Sequence, residues 1–192
     1  MQKKEIETFC PTSQYEWRQW LQENHESKQG VWLVYYKIKS GMPTLTWSQA
    51  VDEALCFGWI DSIKKSIDEH TFMQFFSKRK PTSVWSSINK AKVNALIQEG
   101  LMARAGFASI ATAKQNGSWN LLDEAEDLQI PVDLAQAFER NSGAKEFFLS
   151  LSKSVRKSML QWLLLAKQPT TRQKRINEIS ELAAQKVKPK QF

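Results

Sequence analysis

Cys56 is the most reactive side-chain type in a chain with two cysteines, and His70 is the nearest base to it along the sequence. A nucleophilic thiolate needs a base, a cation or a helix N-terminus to lower its pKa. Cys56 instead falls near the C-terminal end of a predicted helix, among Leu55, Phe57 and Trp59, and reads as a small buried hydrophobe. Glu53, Asp61 and Asp68 form a second set, able to do acid–base work with Lys37 or Lys64 if proximity and burial raise one pKa. The simpler reading has Glu53 and Asp61 hydrogen bonding to strand or turn amides, and Asp68 shaping a turn. A third set joins Lys78, Arg79 and Lys80 to Ser83, Trp85, Ser86 and Asn89. Cations beside an aromatic and a helix start suit a phosphate, a carboxylate or an acidic peptide. The same residues also fit a plain structural role, with Ser83 capping the helix, Trp85 packed inward and the cations on a solvated strand end.

Metal and redox chemistry have no comparable residue set. Cys10 and Cys56 lack the paired spacing of a zinc or dithiol motif and are expected to be two reduced thiols; His25 lies in a polar loop. No catalytic residue, metal or cofactor is assigned.

Several elements must position these residues. Ser13 with Glu16 opens a first helix whose Tyr15, Trp17, Trp20 and Leu21 lie along one face. Residues 31–38 are aromatic and β-branched and predict a central strand. Thr46 and Gln49 open a second helix ending near Gly58. Residues 59–65 and 71–80 predict two short strands joined at Asp68 and Glu69. Beyond Pro81 the pattern is helical, punctuated by Gly100, Gly106, Gly117, Pro131, Gly143 and Pro169. Pro131 suits a first helical position, and residues 155–166 predict a mostly buried helix. A last helix starts near Thr171 with Ile176 and Ile179 inward.

The expected fold is therefore α+β: a small antiparallel sheet with flanking helices over residues 1–80, and an all-helical part over residues 81–192 packed on it as one compact unit, with a loose basic tail at 187–192. Trp17, Trp20, Trp32 and Trp47 are assigned mostly to apolar faces of the core.

At 192 residues the chain can bury a substantial core without staples. With 42% hydrophobic and 24% charged residues it has the composition of a globular domain and not of a disordered chain. Residues 1–7 carry no apolar export segment and no run is long enough for a membrane span, so a cytoplasmic location is expected. The net charge of +7 is unevenly placed: residues 1–144 hold 16 basic and 17 acidic side chains, residues 145–192 hold 11 and 3. Arg172 and Arg175 mark a basic surface on the last helix, able to bridge to acidic neighbours or to contact nucleic acid.

The runs EALCFGWIDS and FFSKRKPTSVWSSIN, Gly100-Leu101-Met102 with Ala105-Gly106, Trp119, Pro131-Val132-Asp133-Leu134 and AKQPTTRQKRI follow one another in an order that resembles the YdeI or OmpD-associated family, also called the bacteriocin-protection family. The resemblance runs from about Phe9 to Leu182. Two departures stand out. Phe75-Phe76-Ser77-Lys78-Arg79 replaces a pattern with a further Arg in that strand, and Pro169-Thr170-Thr171-Arg172 has Thr where the family has Glu, which removes a carboxylate at the start of the last helix. The resemblance implies a non-enzymatic binding protein contributing to tolerance of bacteriocins or related envelope stress. Its expected ligand-binding cleft is bordered by Glu53, Cys56, Trp59, Asp61, Arg79, Ser83, Trp85 and Asn89, open to a small anion, an acidic peptide or a protein partner. Two alternatives accompany it: nucleic-acid binding through the basic C-terminal helices, and an enzyme using Glu53, Asp61 and Arg79.

Overall fold

The computed structural model describes residues 6–192. The expectation about an export segment rests largely on residues 1–5, which lie outside the described residues. The chain divides into two compact units, residues 1–83 with 88–118 and residues 84–87 with 119–192. The change of character at Pro81 therefore falls inside the first unit.

The first unit is α+β. Its elements are β1 (Thr8–Phe9), α1 (Gln14–Asn24), β2 (Gly30–Tyr36), α2 (Trp47–Cys56), β3 (Trp59–Ser66), β4 (Thr71–Lys78), α3 (Ser87–Gln98, whose first residue belongs to the second unit) and α4 (Arg104–Gln115). The sheet order is β1-β2-β4-β3. β2 and β3 flank β4 antiparallel, with Leu33 opposite Gln74 and Asp61 opposite Phe76, and the β3 register shifts between Asp61 and Lys64. The two-residue β1 adds a parallel edge to β2, too short to leave a pattern in the sequence.

Both predicted caps form. The Ser13 hydroxyl accepts from the Glu16 amide, and Thr46 and Gln49 make a reciprocal capping box. Alternation in β2 sends Val31, Leu33 and Tyr35 to the buried face. Around them Trp17 stacks on Trp20 at 5.2 Å and meets Phe76 edge-on at 5.4 Å, while Trp20 meets Trp59 edge-on at 5.7 Å. The Trp17 indole N–H donates to Ala50 O at 3.0 Å, so a large ring is buried without an orphaned donor. Trp47 departs from the core assignment: it is 49% exposed at the first residue of α2, its indole N–H held by Asp61 Oδ2 at 3.0 Å.

The second unit is helical: α5 (Asp123–Glu126), α6 (Val132–Arg140), α7 (Ala144–Ser150), α8 (Lys153–Leu164) and α9 (Pro169–Ala184). Leu134, Phe138, Phe148, Met159, Leu160, Leu163, Ile176 and Ile179 form its core. Pro131 stands one residue before α6, and Pro169 opens α9. Trp85 belongs to this unit and packs on Trp119 with ring centroids 4.9 Å apart. Residues 187–192 are not a loose tail. Pro189 is buried, and the Phe192 ring lies 5.6 Å from Trp162 of α8, packed against the core of this unit.

Candidate functional site

A pocket of about 320 Å³ opens in the first unit where α2 ends, β3 begins and β4 finishes. Gly58 makes it possible. Its φ of +71° turns the chain sharply out of α2 into β3. A Cβ there would stand 2.9 Å from Ala105 O, and one on Gly106 would stand 2.3 Å from Cys56 O, so two glycines let α4 lie directly against the α2 terminus. The Gly58 carbonyl accepts from the Arg79 amide at 2.9 Å, which fixes the end of β4 beside the same turn.

Phe57, Gly58 and Trp59 form one wall, Lys78, Arg79 and Pro81 a second, and the small residues Ala105, Ala108, Ser109 and Thr112 of α4 a third, with His25 and Glu26 at the far side. Burial pulls the Arg79 guanidinium down to about 10, and the Asp61 carboxylate opposes that fall, so Arg79 stays cationic at neutral pH. Lys78 Nζ donates to Glu26 O at 2.6 Å, and the His25 ring is held by Leu21 O, 2.8 Å from Nδ1. Trp59 is buried, its indole N–H donating to His25 O at 3.3 Å. The pocket thus offers cationic and hydroxyl donors over an aromatic floor, a donor set for an anion.

Of the eight residues expected to border a cleft, Trp59 and Arg79 line this pocket. Asp61 reaches it only through its charge on Arg79; its Oδ2 accepts from Trp47 Nε1 and Gln74 Nε2, each at 3.0 Å. Glu53 and Cys56 lie in the packing beneath. Glu53 accepts from Arg18 Nη1 at 2.6 Å and Gln14 Nε2 at 2.7 Å, while Arg18 Nη2 donates to Leu101 O at 2.7 Å. This ties α1 and α2 to the connection between α3 and α4. Burial raises the Cys56 thiol to about 11, Glu53 adds to the rise, and Arg18 opposes it. Ser83 sits in the turn after β4, its amide donating to Lys80 O; α3 starts four residues later at Ser87, so Ser83 is not its cap. Asn89 is half-buried on α3, and Trp85 is buried in the second unit.

The proposed nucleophile and base are apart: Cys56 precedes β3, and His70 lies at the β3–β4 turn at the other end of the hairpin. Asp68 shapes that turn, its Oδ1 accepting from the His70 and Thr71 amides at 2.7 Å. Among the described residues no group of three or more His, Cys, Asp or Glu converges on a metal-sized space. On the basic C-terminal surface, Arg172 forks onto Asp133 at 2.6 and 3.0 Å and donates to Leu163 O, while Arg175 donates to Trp162 O and lies over its ring at 4.6 Å.

Sequence reasoning missed the His25 side and the α4 wall. The signal for the wall was present as small residues at 105, 108, 109 and 112, spacing that keeps one helix face low.

Residues 9–109, just over half of the chain, match the model of a family described as a domain of unknown function, DUF8412. The chain belongs to this family. Residues 127–186 match a second family model, described as bacteriocin-protection, YdeI or OmpD-associated (OmdA), so that likeness covers part of the chain, within the second unit. Neither the curated proteins nor the solved structures gave a match. The pocket falls in the DUF8412 portion, apart from Thr112 at its border.

Proposed function

We propose that the protein is a non-enzymatic binding protein of the cytoplasm that takes a small anion, or the acidic side chain of a peptide, in the Arg79 pocket, in the service of tolerance to bacteriocins or envelope stress. The anion reading rests on one observation: a buried guanidinium that keeps its charge, set among small α4 residues and beside Lys78. The tolerance role rests on the wording of the OmdA description alone.

A binding role fits the chemistry better than catalysis. The thiol is pushed up and enclosed, and Glu53 is committed to Arg18 and Gln14, so neither is placed to attack or to move a proton in the pocket.

Inorganic phosphate is the probe. It should raise the unfolding temperature of the intact chain saturably, by a few degrees at saturation. Arg79→Gln should abolish the response, and Lys78→Met, a gentler change at the pocket edge, should weaken it. No saturable rise, or an equal rise in both variants, would overturn the reading. In cells that lack the protein, loss of bacteriocin tolerance restored by the wild-type chain and not by Lys78→Met would link pocket and role.

A further inference from the structure

A second, larger cavity of about 610 Å³ lies in the first unit at the other end of β2. Its walls are mostly apolar: Tyr36 and Phe72 from the sheet, Leu45 and Trp47 from the segment that enters α2, and Ile38 at the rim. Hydrogen bonds hold these walls in place. Tyr36 N–H donates to the Thr44 hydroxyl at 3.3 Å, the Thr46–Gln49 box fixes the start of α2, and Trp47 Nε1 donates to Asp61 Oδ2 at 3.0 Å. Phe72 is stacked on Tyr35, 4.8 Å away and within 3° of parallel. Ile38 is 99% exposed and Trp47 49% exposed, so much of the apolar surface at this end of the sheet faces water.

The mouth of the cavity is charged. Lys37 and Lys39 flank Ile38 in the lining, and Lys64 lies beside it with Nζ 4.2 Å from the centre of the Phe72 ring. Glu69 is the carboxylate of the lining. Two further acids stand nearby, and the fold already uses both: Asp61 Oδ2 accepts from Trp47 Nε1 and Gln74 Nε2, and Asp68 Oδ1 accepts from the His70 and Thr71 amides. The cations are less committed. Lys37 Nζ donates to Asp68 O at 2.7 Å, a neutral carbonyl that leaves the ammonium its charge and two further N–H donors. Among the described residues, Lys37, Lys39 and Lys64 form no ion pair with a carboxylate. An apolar interior with uncompensated cations at its mouth matches the two ends of an amphiphilic anion.

We infer that this cavity is a binding site for a free amphiphilic anion, whose aliphatic chain enters past Ile38 between Leu45, Trp47 and Phe72 and whose carboxylate head stays at the mouth among Lys37, Lys39 and Lys64. Volume and lining agree with a small-molecule pocket, mostly apolar with few directing polar groups. The buried length of chain supplies the affinity, and the lysines, which stand in water, supply a modest preference for negative charge. The site is separate from the Arg79 pocket and does not depend on it: there, one guanidinium among small residues suits a compact anion, whereas here the apolar volume selects for a chain.

Octanoate, 1-octanol and octyltrimethylammonium, each as monomers in solution, test this on the intact chain by two-dimensional NMR. Octanoate should bind saturably and move the Trp47 indole N–H and the backbone signals of Tyr36, Lys37 and Leu45. It should outbind the alcohol by about 2- to 5-fold, an advantage that shrinks in high salt, and the cation should bind weakest. Decanoate should outbind octanoate by up to about 15-fold, the ceiling for two further buried methylenes. Lys39→Gln with Lys64→Gln, both at exposed positions, should remove most of the preference for octanoate over octanol and leave the unfolding midpoint unchanged. Trp47→Ala, at a half-exposed position, should weaken both ligands alike. Absence of saturable binding, signal changes confined to other parts of the chain, equal or tighter binding of the alcohol or the cation, or an undiminished preference in the double lysine variant would overturn the inference. Sedimentation with phosphatidylglycerol vesicles without any response to monomeric octanoate would overturn it too, because the surface would then be a bilayer contact.

Discussion

Cys56 and Glu53 show how two side chains of catalytic type come to serve packing. The thiol is enclosed at the end of α2, where burial and Glu53 raise its pKa to about 11 while Arg18 opposes them. Near neutrality almost none of it is thiolate. With a disulfide reagent at pH 8, Cys10, which is exposed, should react as the faster thiol, and Cys56 should react only when denaturant opens the core; one fast and one denaturant-dependent equivalent in a stopped-flow trace is the expected result. The hydrophobic neighbours of Cys56 were enough to read it as buried. The Glu53 partners were not legible, because Arg18 and Gln14 stand on another helix, 35 and 39 residues away, and only the tertiary fold brings them within reach. Arg79 was legible as a charge beside a strand end; its burial was not, since it depends on where α4 comes to rest.

At the scale of elements, the junction of α2, β3 and α4 is governed by what glycine omits. Gly106→Ala would place a methyl 2.3 Å from Cys56 O, a backbone atom with no room to retreat, and should cost about 2–4 kcal/mol in urea unfolding, the range for forced overpacking with backbone shift. Gly100→Ala is the control: its φ is +69° but nothing lies within 4 Å of the added methyl, so only the conformational cost of about 1 kcal/mol applies. Helix starts with capping residues were legible, as at Ser13 and Thr46. α9 is the contrasting case. Its Gln168 N-cap makes no side-chain bond, and its first turn holds no acidic residue. Thr170→Glu should therefore raise stability by about 0.3–1 kcal/mol, read as a higher unfolding midpoint that shrinks in high salt. β1 was not legible, since two residues carry no period, and the parallel edge is created by the return of the chain beside β2.

For the whole molecule, the acid side of stability is set by carboxylates in both units. Lys28 holds Glu7 below its ordinary 4.5, and Arg172 holds Asp133 below its ordinary 3.8. Burial works against Glu126, but Lys157 and Ser87 outweigh it and keep it below 4.5. The unfolded chain binds more protons than the folded one in this region, so stability rises with pH there. The contribution is complete above about pH 5 and is lost as pH falls through the lowered folded values. Unfolding midpoints should be level from pH 8 to about 5.5 and fall below about 4.5; Asp133→Asn should make the acid fall shallower while lowering the plateau. The excess charge of residues 145–192, visible in the sequence as a basic end, is partly used inside the second unit by the Asp133, Glu126 and Trp162 contacts of Arg172, Lys157 and Arg175. That use is a product of folding and could not be read from a count.

The division of the chain carries one more consequence. The second unit takes residues 84–87 from the middle of the first, and Trp85 from that short segment packs on Trp119. During synthesis Trp85 leaves the ribosome well before Trp119, so their ring contact forms only after residue 119 emerges. A C-terminal fragment beginning at residue 119 would lack that ring altogether. Trp85 and its short segment lie within the DUF8412 match while the rest of the second unit lies beyond it, so the limit of that family match does not coincide with the limit of a compact unit.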